Sequence, residues 1–438
     1  MTAREAAYQA LAGFRQNGAW PDLYLKNAAA DMPREDAALA SEITYGTLQN
    51  LALIDFYISS FSAIRLKKLM PQVLDILRTA VYQIVFLQRV PDSAAVNEAV
   101  KLVKKKANPR AAAYANAVLR RIAEQKSALP EPERKDLADY FSVKYSHPLW
   151  FVRKMIGALG ANGCEKLLAA NNAHATAAAR VNTLKSDRDT LLRELEEENI
   201  SVSAHPFVDD AVVFDSLRGV ISSCAFKEGK LYIQDIAGQL AVHALAPQPG
   251  AQALDACAAP GGKSLMMAQL MRCKGNLLSC DIYDSKVEEL MKNAEKYGVY
   301  IMDAAKKDAA EHDPGLDGAF DFIMCDVPCS GLGIIRKKPD IRFKSEADIA
   351  ALPQLQYNIL ANVSRYLKSG GHIVYSTCTV LKEENEDIIE RFLAASPDFE
   401  AEAFTLPGIG DVSGMITLYP HLHGTDGFFI AKLHRKQR

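Results

Sequence analysis

The sequence predicts a multidomain fold: an all-α helical domain, a small α+β module, and an α/β domain whose mostly parallel sheet ends in a C-terminal antiparallel hairpin. The chain has 438 residues, which is more than one ordinary hydrophobic core holds. Apolar residues recur at helical spacing up to about residue 125, and after residue 252 apolar strands alternate with helices. These patterns predict domains at 1–128, 136–235 and 236–438.

The first predicted domain combines helical spacing with an excess of positive charge. Residues 1–125 hold 16 Lys or Arg against 11 Asp or Glu, although the whole chain has a net charge of −2. The stretch 101–121 has seven basic residues and no acidic one. It fits a surface for nucleic-acid phosphates and a solvated helix face about equally well. The candidate phosphate contacts are Lys104, Lys105, Lys106, Arg110, Arg120 and Arg121.

A polar linker with two prolines, residues 126–135, follows the first domain. The second predicted domain begins with a helical region at 136–175 and then mixes strands with a charged helix at 187–200. That order is typical of a small α+β module. Its predicted strands cover 179–183, 211–215 and 230–235.

The composition is that of a folded, soluble protein, with 49% hydrophobic and 24% charged residues. The first residues form an amphipathic helix that contains Arg4 and Glu5 and does not resemble a signal peptide. Apolar runs are interrupted by charge before the roughly 18 residues that a membrane span needs. Eight cysteines without a CxxC pair indicate reduced thiols, and His421 and His423 are expected to serve packing. We therefore expect a cytoplasmic protein with no metal site and no membrane partner; its oligomeric state stays open, with a monomer expected.

A glycine-rich loop joins the first strand of the third domain to a helix. The strand ALDAC runs into AAPGGKS, so Gly261 and Gly262 lie at a helix N-terminus, where free amides favour an anionic group. Asp281 ends the next strand, 19 residues after Gly262, where an acid commonly binds ribose hydroxyls. Asp308 follows the third strand, within reach of an adenine edge. The crevice is predicted to bind a nucleoside-containing ligand, with a simple tight turn as the alternative.

The same loop also matches the phosphate-binding P-loop pattern, except that Cys257 stands where the first glycine should be. The P-loop needs that glycine to curl its amides around phosphates. An NTPase would also leave two cysteine motifs further along the chain unexplained. We therefore disfavour this alternative.

The two cysteine motifs follow neighbouring strands of the predicted sheet. FDFIMCD is followed by VPCSG with Cys329, and GGHIVYST is followed by Cys378, 49 residues later. Carboxyl ends of parallel strands meet at one edge of a sheet, so both thiols should face the crevice of the glycine loop. A single cysteine after a strand is usually an inert buried thiol, but two beside a ligand loop indicate chemistry.

Paired thiols suit methylation of carbon 5 of cytosine. That carbon is a poor nucleophile, but a thiolate that adds to carbon 6 makes an enamine able to attack the methyl group of a sulfonium donor. A carboxyl such as that of Asp326 can relieve charge at the ring nitrogen beside the carbonyl. A base then removes the carbon 5 proton and the thiolate leaves. The target base has to leave its stack, or lie in a loop, to enter such a pocket.

Taken together, the segments DACAAPGGKS, DVPCSGLGIIRKKPDIRF and YSTCT resemble the RNA cytosine-C5 methyltransferases of the Nol1/Nop2/Sun family. The N-terminal domain resembles the antitermination factor NusB, so the resemblance covers nearly the whole chain. It implies a Rossmann-like class I methyltransferase domain that uses S-adenosyl-L-methionine, preceded by an RRM-like module. It also implies small-subunit (16S) ribosomal RNA as the substrate, with cytosine 967 as the target.

The resemblance implies roles for individual residues. Cys378, in the TC motif, is the nucleophile, and Cys329, in the PC motif, assists product release. Asp326 is the acid of the DxPCSG motif, and Asp281 fits the ribose-binding acid. Asp308 departs from the family, in which a glycine precedes this acid, because Lys307 stands there. The donor-binding residues implied are Cys257, Ala258, Ala259, Pro260, Gly261, Gly262, Lys263, Asp281, Asp308 and Asp326.

A basic segment after the PCSG loop is also predicted to contact RNA, although a solvated loop would show the same pattern. Its basic residues are Arg336, Lys337, Lys338 and Arg342. Asp426, in the predicted hairpin turn 424–427, is a candidate for ordering the pocket. The competing class is an RNA-binding assembly or antitermination factor that keeps a methyltransferase fold without catalysis. The intact cysteines and glycine loop argue against it, whereas another target RNA remains open.

Overall fold

The computed structural model describes residues 1–17, 21–29 and 32–437, which form two compact units. The first unit comprises Met1–Asn172 and Lys338–Lys344, and the second comprises Ala173–Lys337 and Ser345–Arg438. Residues 18–20, 30, 31 and 438 belong to the predicted first and third domains but lie outside the described residues. The three-domain division with boundaries at 128, 136 and 235 stays a prediction.

Helices build the first unit, as the apolar spacing predicts. They are α1 (Ala3–Asn17), α2 (Pro21–Ala29), α3 (Arg34–Gln49), α4 (Leu51–Phe61), α5 (Pro71–Phe86), α6 (Asp92–Lys106), α7 (Pro109–Glu124), α8 (Leu137–Lys144) and α9 (Leu149–Asn172). Local signals fix some of their ends: Asn108 caps α7 by accepting a hydrogen bond from the amide of Ala111, and Pro109 takes the first helical position. The apolar faces of α4 to α7 pack into one core around Ile76, Leu77 and Leu119.

A short 3₁₀ turn from later in the chain, Pro339–Phe343, also belongs to the first unit. Its Arg342 is only 2% exposed, and its guanidinium donates hydrogen bonds to the carbonyl oxygens of Gln49 and Ser146 and to Oδ1 of Asn172. Burial lowers the pKa of Arg342 to about 9. The prediction that Arg342 contacts RNA is therefore wrong, because backbone oxygens of the helical unit enclose its guanidinium.

Arg342→Leu should destabilise the protein by about 2 kcal/mol. Each buried oxygen left without a donor costs roughly 1–3 kcal/mol, and relief of the buried positive charge offsets part of that sum. Denaturant unfolding of the full chain measures the change. Lys338→Leu, which alters an exposed residue of the same segment, serves as the control. Equal stability of the two variants would show that the buried hydrogen bonds contribute nothing.

The second unit contains a small antiparallel sheet with the order β2-β3-β1-β4. Its strands are β1 (Ala177–Val181), β2 (Ser203–Ala204), β3 (Ala211–Phe214) and β4 (Leu231–Ile233), and its helices are α10 (Arg188–Glu197) and α11 (Cys224–Lys227). Leu191 and Leu195 of α10 are fully buried in the same core as Val212 and Phe214. The α+β pattern of this region is thus confirmed.

The larger sheet of the second unit has the order β10-β14-β9-β8-β5-β6-β7, with β13 paired to β14. Strands β5 to β9 run parallel to one another. Strand β14 runs antiparallel to both β9 and β13, as predicted for the C-terminal hairpin. The strands are β5 (Gln252–Asp255), β6 (Asn276–Asp281), β7 (Met302–Lys306), β8 (Phe320–Asp326), β9 (Leu367–Thr377), β10 (Phe399–Ala401), β13 (Met415–Leu418) and β14 (Phe428–Arg435), while β11 (Phe404–Leu406) and β12 (Gly410–Val412) form a separate pair.

Helices flank this sheet, which explains its continuous apolar strands. Ile323, Met324 and Cys325 are consecutive in β8 and fully buried, as expected for a strand covered on both faces. Met266 and Met267 of α13 lie in the core on one face. The helices are α12 (Ile236–Leu245), α13 (Gly262–Leu270), α14 (Asp284–Tyr297), α15 (Glu346–Ile349), α16 (Leu352–Val363), α17 (Glu386–Ala395) and α18 (Pro420–His423). Among the described residues, no helix has the length and apolar character to cross a membrane.

Candidate active site

The glycine loop lies between the carboxyl end of β5 and the start of α13. Gly261 caps the helix with a φ of 105°, a left-handed conformation that favours glycine. A Cβ on Gly262 would lie 2.9 Å from the ring of Tyr232, so this glycine permits close packing. The Arg180 guanidinium donates to the carbonyl oxygen of Gly262 at 2.8 Å, and Asn293 donates to that of Pro260 at 2.9 Å. The loop backbone is therefore held from both sides.

Two cavities lie beside this loop in the second unit. The larger, about 510 Å³, opens at the carboxyl ends of β5, β6 and β7. The smaller, about 240 Å³, lies between the glycine loop, the ends of β8 and β9 and the turn before β14. The larger is lined in part by Ala256, Cys280, Ile282, Asp308 and Tyr366, and the smaller in part by Cys257, Ala258, Ala259, Pro260, Gly262, Lys263, Asp326, Cys378, Asp426 and Phe428.

The two predicted nucleoside-binding acids occupy different settings. Asp308 lines the larger cavity, and its Oδ1 accepts a hydrogen bond from the amide of Ala310 at 2.8 Å. Asp281 ends β6 directly before Ile282, an exposed apolar residue that also lines the larger cavity. Both acids therefore lie at the edge of the sheet where the sequence places them, and a planar apolar group can rest on Ile282.

Lys263 and Asp326 form an ion pair in the smaller cavity. Lys263 Nζ lies 2.6 Å from Asp326 Oδ2, and the Ser376 hydroxyl donates to Asp326 Oδ1 at 2.6 Å. Burial disfavours the charged ammonium, but the Asp326 carboxylate outweighs it and raises the pKa of Lys263. The pair thus presents a fixed cation and a fixed carboxylate to whatever enters the cavity.

The two motif cysteines are in contact, although 49 residues separate them. Cys329 Sγ lies 3.2 Å from Cys378 Sγ, within reach of an S–H···S hydrogen bond. Donation from Cys329 lowers the pKa of Cys378, and Lys263 contributes in the same direction. The shared hydrogen bond, together with burial, raises the pKa of Cys329 well above its usual value. The pair therefore favours a thiolate on Cys378 and a proton on Cys329.

This asymmetry predicts the pH dependence of alkylation at Cys378. Only the thiolate reacts, so a lowered pKa lets the reaction begin at a lower pH than for an ordinary thiol. Cys329→Ala removes the hydrogen-bond donor, and the midpoint should then move to higher pH. Mass spectrometry of the peptide that contains Cys378, after timed iodoacetamide treatment across a pH series, measures both midpoints. A midpoint that stays in place or falls in Cys329→Ala would refute the assigned donor.

The segment after the PCSG loop is bound to the hairpin turn by ion pairs. Arg336 donates to Asp426 Oδ1 at 2.9 Å, and its side chain is only 9% exposed. Lys337 lies 2.6 Å from Asp235 Oδ2 and 2.7 Å from Asp426 Oδ2. A contact between Arg336 and RNA would require its ion pair to open, whereas Lys338 is exposed. Asp235 and Asp426 both line the smaller cavity.

The candidate phosphate contacts of the helical unit lie on α6 and α7. Four of them are exposed: Lys104, Arg110, Arg120 and Arg121. Lys105 and Lys106 instead pair with Glu5, at 3.0 and 3.2 Å. Part of the predicted positive surface is thus neutralised within the unit.

The sequence does not point to several polar residues of the site. Asp235 and Ser376 hold the charged groups described above, and Glu384 and Asn385 contact the cysteine motifs. Asp235 carries a local signal, since its side chain caps α12 by accepting from the amide of Ala237. Ser376 and Glu384 depend on contacts between segments 50 and 54 residues apart, which the sequence alone does not show.

His423 helps to hold the backbone at the start of α18. His423 Nδ1 accepts a hydrogen bond from the amide of Tyr419 at 2.9 Å. Within the described ranges, no group of three or more metal-ligating side chains comes together.

Family models match a segment within each of the three predicted domains. Residues 242–434 match the family model of 16S rRNA methyltransferase RsmB/F, residues 1–124 that of the NusB family, and residues 147–220 the ferredoxin-like domain of RsmF/B-like methyltransferases. A probable ribosomal RNA small subunit methyltransferase B of Bacillus subtilis is 35% identical over 99% of this chain and 98% of its own. The chain belongs to the RsmB/RsmF methyltransferase family.

Two further relatives agree with membership of the RsmB/RsmF family. Ribosomal RNA small subunit methyltransferase B of Salmonella paratyphi A is 33% identical over 92% of this chain and 91% of its own. The crystal structure of the protein PH0851 covers 99% of this chain and 98% of its own, with 28% identity and a TM-score of 0.79. The methyltransferase fold and the NusB-like helical domain that the resemblance implies are thus confirmed.

Proposed function

We propose that the protein transfers a methyl group from S-adenosyl-L-methionine to carbon 5 of cytosine 967 in small-subunit ribosomal RNA, through a covalent bond to Cys378. The observation that carries the proposal is the pair of cysteine sulfurs 3.2 Å apart, beside the Lys263–Asp326 ion pair. Two thiols with opposite pKa shifts suit a reaction that needs a nucleophile in one step and its release in another. The family membership and the full-length relatives support the RNA substrate.

The residues around the larger cavity fit the donor. A volume of about 510 Å³ accommodates an adenosine group, with Ile282 as an apolar surface and Asp281 and Asp308 as acceptors for its hydroxyl and amino groups. The amides at the start of α13, next to Gly261 and Gly262, suit the donor's carboxylate. S-adenosyl-L-methionine supplies an electrophilic methyl group on a sulfonium.

The smaller cavity would hold the flipped cytosine. Cys378 adds as a thiolate to carbon 6, which raises electron density on carbon 5. The Asp326–Lys263 pair supplies an acceptor for the amino group of the base and a proton for the adjacent ring nitrogen, so that the developing charge is neutralised. Ser376 fixes Asp326 from the opposite side. This arrangement explains why a carboxylate and an ammonium remain together in a largely buried place.

Release requires the bond between carbon 6 and Cys378 to break. The proton on carbon 5 passes to water, its electron pair forms the ring double bond, and the sulfur leaves as a thiolate. The ring nitrogen then returns its proton to the Asp326–Lys263 pair. Cys329, which keeps its proton because its pKa is raised, donates a hydrogen bond to the leaving sulfur. Its role is therefore in the last step and not in the first.

The exposed basic residues of α6 and α7 are proposed to bind phosphates. Replacing Lys104, Arg110 and Arg120 together by glutamine should weaken RNA binding about tenfold. The slope of the logarithm of the binding constant against the logarithm of the salt concentration should become shallower by roughly two to three. Binding of S-adenosyl-L-methionine should not change. Filter binding across a salt series measures the slope, with Lys292→Gln on α14 as the control. An unchanged slope would assign these residues to solvent or to a protein partner.

The direct test is methyl transfer from labelled S-adenosyl-L-methionine to ribosomal RNA, with the product mapped by mass spectrometry. The proposal predicts one 5-methylcytosine, at position 967 of small-subunit RNA. Labelling of transfer RNA or large-subunit RNA would show that the proposed substrate is wrong, while the proposed reaction would stand. RNA binding without any methyl transfer would favour a role in assembly or antitermination.

A further inference from the structure

A buried pair of adjacent residues, Glu384 and Asn385, lies between the TC motif and α17. Glu384 is 1% exposed and Asn385 is fully buried. Neither lines the two cavities, so neither contacts substrate there. Buried polar side chains are retained only where hydrogen bonds compensate their lost hydration, so their partners indicate what they do.

Glu384 binds the backbone on both sides of Cys329, in part through Gln356. Its Oε2 accepts hydrogen bonds from the amide of Ser330 and from Gln356 Nε2, each at 2.8 Å. Gln356 Nε2 also donates to the carbonyl oxygen of Pro328 at 2.9 Å. The residues before and after Cys329 are therefore fixed by one carboxylate–amide pair, and Gln356 and Ser330 are fully buried.

Asn385 binds the residues on both sides of Cys378. Its Oδ1 accepts a hydrogen bond from the Thr377 hydroxyl at 2.6 Å, and its Nδ2 donates to the carbonyl oxygen of Thr379 at 3.1 Å. Thr377 and Thr379 directly flank Cys378 and are fully buried. One side chain therefore spans the nucleophile's position in the backbone.

Further hydrogen bonds join the two motifs directly. The Ser330 hydroxyl donates to Thr379 Oγ1 at 2.8 Å, and the amide of Gly333 donates to the carbonyl oxygen of Cys378 at 2.9 Å. The Tyr375 hydroxyl anchors the pair itself, through the carbonyl oxygen of Glu384 at 2.6 Å.

We propose that Glu384 and Asn385 are positioning residues that set the contact between the two reactive sulfurs, Asn385 by holding Cys378 and Glu384, with Gln356, by holding Cys329. The inference rests on the proposed covalent mechanism, in which Cys378 forms the bond to carbon 6 and Cys329 assists its cleavage. The negative charge of Glu384 also helps to raise the pKa of Cys329, which keeps the proton that it donates to the leaving sulfur.

The two neighbours should therefore have opposite effects on the covalent RNA adduct. Glu384→Gln and Gln356→Met impair only the release step, so turnover should fall on the order of tenfold or more while adduct accumulates. Asn385→Ala displaces the nucleophile, so adduct and turnover should fall together. A general folding defect cannot produce both results, because it lowers adduct and turnover in each variant.

The experiment incubates each variant with donor and small-subunit RNA, and measures product and gel-stable adduct in parallel. Wild type and Glu390→Gln, an exposed residue of α17, should turn over with little adduct. Cys329→Ala should trap adduct, and adding Gln356→Met to it should trap no more. If wild type labels RNA and Cys329→Ala traps adduct, but Glu384→Gln and Gln356→Met trap none, the positioning inference fails. If wild type labels no RNA, the proposed function fails first.

Discussion

Cys378→Ala is expected to abolish methyl transfer and the covalent RNA adduct together, with a rate loss of at least about a thousandfold. Without the thiolate at carbon 6, carbon 5 of cytosine stays a poor nucleophile. The Cys329 sulfur is 3.2 Å from that of Cys378, but its raised pKa keeps it protonated. Cys329→Ala should instead retain adduct formation and lose release.

The contrast between the two variants is measured with labelled donor and denaturing gels. Cys224→Ala, which removes an exposed thiol distant in sequence from both motifs, should behave as wild type. Full activity of Cys378→Ala would exclude it as the nucleophile. Adduct trapped by Cys378→Ala but not by Cys329→Ala would exchange the two roles.

Asp326→Asn is expected to lower the rate of methyl transfer by on the order of a hundredfold or more. The substitution keeps the shape of the side chain and its contact with Ser376, but removes the charge that holds Lys263 2.6 Å away. An amide cannot relay a proton from the Lys263 ammonium to the ring nitrogen, so the addition step suffers. The affinity for the donor, measured by calorimetry, should change much less than the rate.

Asp321→Asn provides a matched control for this prediction. Asp321 lies in the same strand, β8, and also forms an ion pair, with Lys368 at 2.8 Å. Its variant should retain methyl transfer. Equal rate losses in both variants would indicate damage to β8, and a loss of donor affinity equal to the rate loss in Asp326→Asn would assign Asp326 to the donor alone.

The fold of the third predicted domain could be derived from the sequence because its signals are local. The strand FDFIMCD was expected from its continuous apolar run and coincides with β8, Phe320–Asp326. The helix after AAPGGKS follows from its glycines in the same way. By contrast, the inclusion of Lys338–Lys344 in the helical unit depends on Arg342 and its distant carbonyl partners, and no local pattern reports such contacts.

The site shows the same division between local and distant information. The contact of Cys329 with Cys378 could be expected, because both follow neighbouring parallel strands. The burial of Arg336 against Asp426 could not, since the two are 90 residues apart and a basic segment after a loop looks solvated. The role of Glu384 could not be expected for a similar reason, because its partner Ser330 is 54 residues away in sequence.

Covalent attack by Cys378 is tested most directly on the adduct that Cys329→Ala traps. Digestion with protease and nuclease, followed by tandem mass spectrometry, identifies which residue carries the nucleotide. We expect a single peptide that carries a methylated cytidine nucleotide on Cys378. A nucleotide on any peptide other than the one that contains Cys378 would contradict covalent attack by Cys378. Methylated RNA formed with no trapped peptide at all would contradict it as well.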